Sequence, residues 1–88
     1  MTYFYDDIPR LGNVVLTRHA QDKAHQEGIT EEEIERALVN GQDTPDGMNI
    51  IWRQFRNLRL VIILKPTPDL GSKVVKTLYR VKPNWAAR

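Results

Sequence analysis

Between residues 31 and 40 the apolar side chains Ile34, Ala37 and Leu38 recur at i, i+3 and i+4, the spacing of a single helix face. Start signals stand just before them. Thr30 can cap the amide three residues on while Glu33 reaches back, and Ile29 can staple against Ile34. Glu31, Glu32 and Glu33 complement the positive end of the helix dipole, and Gly41 after Asn40 is a natural stop. The pattern predicts a helix over 31–40. Thr17 caps a second, shorter helix over 18–27, closed by Gly28, with a thin stripe of Leu16, Ala20 and Ala24. The two read as an αα-hairpin joined by Gly28 and Ile29. Ahead of them, residues 13–16 are either a short strand or an extended lead-in.

After Gly41 the hydrophobic period changes from 3.6 to 2. Residues 42–47, with Pro45 and Asp46-Gly47, are turn material. Residues 48–55, 58–64 and 73–82 are rich in β-branched, leucine and aromatic side chains and predict three strands. Arg56-Asn57 is a tight connection, and residues 65–72, with Pro66, Pro68 and Gly71, form a longer loop. Strands joined without helices pair antiparallel. The expected fold is therefore α+β, an N-terminal helical hairpin packed on a three- to four-stranded antiparallel sheet, with the second sheet face partly open.

Alternation nominates the side chains of each face. In the last strand Val75, Thr77, Tyr79 and Val81 oppose Val74, Lys76, Leu78, Arg80 and Lys82, and hydrophobicity turns the first set toward the helices. Leu58, Leu60, Ile62 and Leu64 form the core face of the middle strand. Strand registers allow a basic open face of Arg53, Arg59, Lys76 and Arg80, suited to phosphate contacts, with Trp52 or Tyr79 as a stacking surface for an unpaired base. The plainer reading makes each aromatic a core residue and each cation a solvated strand position.

Composition narrows the class. Eighty-eight residues make a single domain with a small core, and 41% hydrophobic and 27% charged residues are ordinary for a folded protein. No cysteine is present, which excludes disulfide scaffolds and thiolate metal sites. The longest apolar run, 60–64, is too short for a bilayer, and the first seven residues lack a signal-peptide pattern, so a cytoplasmic protein without membrane contact is expected. The net charge of +2 hides a division. Residues 1–48 carry four basic and ten acidic side chains, a balance of −6; residues 49–88 carry nine basic and one acidic, a balance of +8. Such asymmetry points to a polyanionic partner for the basic half.

Among residues that carry chemistry, His19 lies in a helix's first turn, where the dipole favours a neutral imidazole suited to general-base work. A lone helical histidine is more often structural or solvated. His25, six residues on, points elsewhere, and no acidic or thiol partner completes a zinc set, so neither a metal nor a cofactor is expected. Gly71-Ser72-Lys73 lacks the earlier glycine and following helix of a phosphate loop.

The run Thr17-Arg18-His19-Ala20, Lys23, Gly28 to Ile34, Ala37-Leu38 and Gly41, with Leu60 to Ile63 and Lys76-Thr77-Leu78-Tyr79-Arg80, resembles the small bacterial and phage family catalogued as domain of unknown function 4258, related to RelE-like and BrnT-like toxins. The resemblance spans about 14–82 of the chain. It implies helices on an antiparallel sheet and kinship with metal-independent ribonucleases, in which a base activates the ribose 2′-hydroxyl and cations stabilise the charged phosphorane. His19 matches the family's helix histidine, and Thr77 and Tyr79 match its last-strand motif. Lys23 stands where arginine is usual, losing the bidentate fork, and Glu27 reverses the sign of a second common arginine, which counts against an active nuclease. The motif turns Thr77 and Tyr79 toward the site, whereas alternation buries them; both orientations stay open.

The expected function is a RelE/BrnT-like, toxin-type protein that binds RNA on the open sheet face. In its endoribonuclease form, His19, Lys23, Tyr79 and Arg80 are the catalytic candidates, and Trp52, Arg53, Arg59, Lys76 and Thr77 contact RNA. The resemblance also implies an antitoxin partner. The alternative is a non-catalytic nucleic-acid- or protein-binding module of the same fold. Terminal aromatics Tyr3, Phe4, Tyr5 and Trp85 are candidate contacts of a homodimer.

Overall fold

The structure, a computed structural model, describes residues 3–65 and 72–81. Strand β1 (Phe4–Ile8) and strand β2 (Gly12–Leu16) form a hairpin, followed by helix α1 (Arg18–Glu27) and helix α2 (Glu31–Asn40). Strands β3 (Gln42–Pro45), β4 (Ile50–Phe55), β5 (Leu58–Ile63) and β6 (Lys73–Arg80) follow among the described residues. The six strands form one sheet in the order β1-β2-β6-β5-β4-β3. All neighbours pair antiparallel except β2 and β6, which run parallel.

Both helices have the expected bounds because their caps act as the sequence indicates. Thr17 accepts from the Ala20 amide, and Gly28 ends α1 at φ 67°, a left-handed conformation that glycine adopts without a Cβ clash. Thr30 and Glu33 form the reciprocal capping box of α2. Gly41 ends α2 for a different reason. Its φ of −70° suits any residue, but a Cβ there would strike the Ala37 carbonyl and lie 2.7 Å from Arg53 Cγ.

The expectation of a helical hairpin on a three- to four-stranded antiparallel sheet is overturned in three respects. Phe4–Ile8 adds a strand, pairing with Gly12–Leu16, which takes the strand alternative open for 13–16, and the polar Gln42–Pro45 adds an edge strand where a turn was expected. The pairing of β2 with β6 brings the N-terminal hairpin parallel to the last strand, making the sheet mixed. The helices do not pack as a pair: α1 lies against β6 and β2, α2 against β4 and β5, and their backbones make no close approach. Each helix buries its stripe on the sheet instead, Ala20 and Ala24 from α1, Ile34, Ala37 and Leu38 from α2. The expected loop 65–72, the strand end at Lys82 and the aromatic Trp85 fall wholly or largely outside the described residues.

The core is continuous from Tyr5, Ile8 and Leu11 through Val14 and Leu16 to Leu60, Ile62, Val75 and Leu78. One irregularity decides which side chains of β6 reach it. Val61 pairs with Thr77 but Ile62 pairs with Val75, so Lys76 is an extra, bulged residue. Val75 and Leu78, three apart, therefore both face the helices, and Thr77 and Tyr79 face the opposite side. The expectation from simple alternation, with Thr77 and Tyr79 inward, fails at this bulge.

At the far end of the sheet Arg53 joins three elements. It is 1% exposed; its Nε and Nη2 donate to the two carboxylate oxygens of Asp43, the latter at 2.9 Å. Its Nη1 donates to the Leu38 carbonyl of the last turn of α2 at 2.7 Å and to Pro9 O, in the β1–β2 turn, at 3.2 Å. Arg10 adds a second cation 3.5 Å from Asp43. Residues from opposite edges of the strand order thus meet, so the sheet is curled around this joint. The Arg53 hydrogen bond, then the Arg53 and Arg10 charges, hold the Asp43 carboxyl below its ordinary pKa against the opposing effect of burial.

Asp43→Ala leaves a buried guanidinium without its counter-ion and is expected to cost about 3–5 kcal/mol in urea unfolding. Because the folded pKa of Asp43 is depressed, its contribution is complete above the unfolded value near 4 and is lost as pH falls through the lower folded value. Asp43→Asn therefore flattens the acid limb of the stability profile; an unchanged limb rules out the pairing.

Candidate nucleic-acid interface

The open side of the sheet is built in rows fixed by strand register. Phe4, Val15, Val74, Ile63 and Ile50 align across five strands as one apolar row. The next row is Thr77, Val61, Trp52 and Thr44; the third is Tyr79, Arg59, Gln54 and Gln42. Arg59 sits at the centre of the two polar rows. Its guanidinium lies 4.5 Å from the Trp52 ring centroid and 5.8 Å from that of Tyr79. Its Nε donates to Gln54 Oε1 at 2.9 Å, and its Nη1 lies 3.4 Å from the Tyr79 hydroxyl.

These contacts hold a long, otherwise mobile side chain beside two half-buried rings. Two of its five N–H donors are engaged, which leaves the rest of the fork to bind an anion. The arrangement offers π surfaces beside a positive, directional donor group, the combination that stacks an unpaired base and holds its phosphate.

Of the four cations expected on this face, the structure places only Arg59 there outright. Arg53 is turned into the interior, as described above. Arg80, opposite Leu58, is also on the helix side, with Nη1 2.9 Å from Glu33 Oε2. That contact, chiefly the Arg80 hydrogen bond, lowers the Glu33 pKa. Lys76 is exposed at the bulge, and its carbonyl accepts from the Thr17 hydroxyl at 3.0 Å. Arg53 and Arg80 carry charges that partners in the acidic half neutralise, so the expected basic face is instead one apolar row and two more polar rows with a single aromatic-bound arginine.

The catalytic candidates are not brought together. Gln21 donates to Leu16 O and His25 meets Tyr3, so that flank of α1 faces β2 and β1. His19 and Lys23 are on the opposite flank, one turn apart, His19 exposed and Lys23 half-buried. Tyr79 is across the sheet from that helix, and Arg80 is paired with Glu33. No hydrogen bond or ion pair among the described residues joins His19 to Lys23, Tyr79 or Arg80. Gln54 is the member of the site that sequence reasoning passed over, although its alternation with Trp52 already set the two on one face.

Other candidates resolve into structure. Tyr3 and Tyr5 are core residues; the Tyr5 hydroxyl donates to Glu31 O at 3.3 Å, and burial, then the Glu31 charge, raises its pKa. Phe4 is 39% exposed. A cleft of 430 Å³ at the α1–α2 junction is lined by Tyr3, His25, Glu31 and Glu32 among others, and its carboxylates repel a phosphate. Among the described residues no group of three or more His, Asp or Glu side chains is placed to hold a metal, and no helix is long and apolar enough to cross a membrane.

Removing the guanidinium tests the cluster. Arg59→Ala is expected to change the emission of Trp52 in a Trp85→Phe background while leaving the fold intact, and Arg59→Lys is expected to restore it only in part, since an ammonium lacks the planar fork. Identical spectra for all three proteins contradict the stack.

Comparison with curated proteins and with solved structures returns no significant match. The model of a family described as Domain of unknown function (DUF4258) matches residues 16–80, from the end of β2 to the end of β6. The match covers most of the chain, including both helices, Trp52, Arg59 and Tyr79, and on that extent the protein belongs to the DUF4258 family.

Proposed function

We propose that the protein is a nucleic-acid-binding module of RelE/BrnT-like toxin type, which engages single-stranded RNA on the open sheet face and holds it without cutting it. The observation that carries this reading is the Trp52–Arg59–Tyr79 cluster, where a guanidinium is held 4.5 Å and 5.8 Å from two ring centroids on one sheet face. Trp52 and Tyr79 supply the stacking surface, Arg59 the phosphate contact, and Thr77 and Gln54 polar edges beside them. RNA, rather than another polyanion, follows from the toxin kinship that the last-strand residues Thr77 and Tyr79 suggest.

Binding is favoured over catalysis because His19 and Lys23 lie on the helix layer and Tyr79 on the other side of the sheet. A proton-transfer residue must reach the reacting oxygen within hydrogen-bond range, and one strand of RNA on the open face does not meet both. The apolar row from Phe4 to Ile50 suits a protein partner of antitoxin type beside the RNA surface.

Titration of Trp52 fluorescence with short single-stranded RNA tests the reading in the Trp85→Phe background. Quenching that saturates is expected, and Tyr79→Ala is expected to weaken binding by about 1–3 kcal/mol, the range for one stacked base. The salt dependence should be shallow, corresponding to about one or two phosphates. Equal affinity of Tyr79→Ala and its parent overturns the site. Products ending in cyclic phosphate that vanish in His19→Ala would restore the nuclease form.

A further inference from the structure

The β4–β5 turn and α2 enclose a small cleft that the open face does not include. Its volume is 160 Å³, and it is lined by Glu33, Arg36, Phe55, Arg56, Asn57 and Leu58. Phe55 and Leu58 are half-buried and buried, so its floor is apolar and partly shielded from water.

The charges around that floor do not cancel. Glu33, the one acid, is bound by Arg80 through both oxygens, at 2.9 and 3.2 Å. Arg36 and Arg56 have no carboxylate partner among the described residues. The Arg56 guanidinium is held over the Phe55 ring, 5.3 Å from its centroid. Asn57 turns its Oδ1 toward Arg80 Nη1 at 3.4 Å, which leaves its amide NH₂ as a donor. Two guanidinium groups without a carboxylate partner and an amide, all on exposed residues, thus rim a partly buried apolar floor, and each can give a charge-assisted hydrogen bond to an anion.

We infer that this cleft is a phosphate-binding site, with Arg36 and Arg56 as its paired forks and Asn57 as an additional donor. Size selects the ligand. Pockets for drug-sized molecules run from about 300 Å³ upward, so 160 Å³ seats a phosphate group and leaves any attached nucleoside outside the cleft. The site stands independently of stacking on the open face. It is also near that face, because Gln54 Nε2, beside Arg59, donates to Arg56 O at 3.3 Å.

The test is an ¹⁵N-resolved titration with inorganic phosphate, followed by a short RNA with and without a 5′-phosphate, in wild type and in Trp52→Ala. Saturable shifts confined to residues 33–36 and 55–58 are expected. Arg36→Gln combined with Arg56→Asn should abolish them; asparagine tolerates the φ of 57° at position 56, so the turn is kept. Each arginine lost is expected to weaken binding about tenfold, the size of one charge-assisted hydrogen bond. In Trp52→Ala the 5′-phosphorylated strand retains these shifts, which separates failure of the cleft from failure of the stack. If it binds no better than inorganic phosphate, the site serves free phosphate. Absence of saturable shifts in wild type, or shifts that persist in the folded double variant, overturns the site.

Discussion

A buried arginine has five donors and one charge to satisfy, and Arg53 engages four of those donors and its charge by drawing distant parts of the chain to itself. Asp43 supplies the carboxylate, Leu38 the last-turn carbonyl of α2 and Pro9 the turn of the N-terminal hairpin. The helix end is a favourable place for a cation, since its carbonyls carry the negative end of the dipole. Gly41 is required beside it, because any side chain there would displace the Arg53 stem. With this joint closed, the polar strand β3 stays in the sheet and the hairpin is drawn over to the far edge. The open face is what remains on the other side.

The same joint changes the meaning of the charge division along the chain. An acidic first half and a basic second half look like a surface awaiting a polyanion. Two of the basic residues are instead matched internally, Arg53 by Asp43 and Arg80 by Glu33, each pair crossing from one half to the other. The division is in part the means by which the two halves find each other. Of the cations left over among the described residues, Arg59 is on the open face and Arg36 and Arg56 are around the turn, while Lys23, Lys65, Lys73 and Lys76 are spread elsewhere. Affinity for nucleic acid then rests on stacking and a few placed donors more than on a broad positive field.

Both helices were legible because capping is a local code: Thr17, Gly28, Thr30 and Glu33 act within a few residues of themselves. The sheet was less so wherever a bulge or a distant partner intervenes. In β1 the register shifts between Tyr5 and Ile8 and Asp7 has φ 54°, which breaks the period of two that reveals a strand. The segment Gln42–Pro45 carries no strand signal and pairs because Arg53 holds Asp43. In β6 the spacing of three between Val75 and Leu78 was the visible trace of the bulge at Lys76, and it reconciles the motif's outward Thr77 and Tyr79 with an apolar inner face. Trp52, Arg59 and Tyr79 could each be named from sequence. Their meeting depends on the order of β4, β5 and β6, which alternation alone does not supply.

The central claim is a partition of arginines, Arg53 inside as a structural joint and Arg59 outside as the ligand contact. A spectrum of the arginine Nε–Hε groups, recorded in the absence and presence of single-stranded RNA, tests it most directly. The account predicts an Arg53 signal that exchanges slowly with solvent and does not move, and an Arg59 signal that shifts as RNA is added. A solvent-exposed Arg53 that responds to RNA, with Arg59 unmoved, contradicts it.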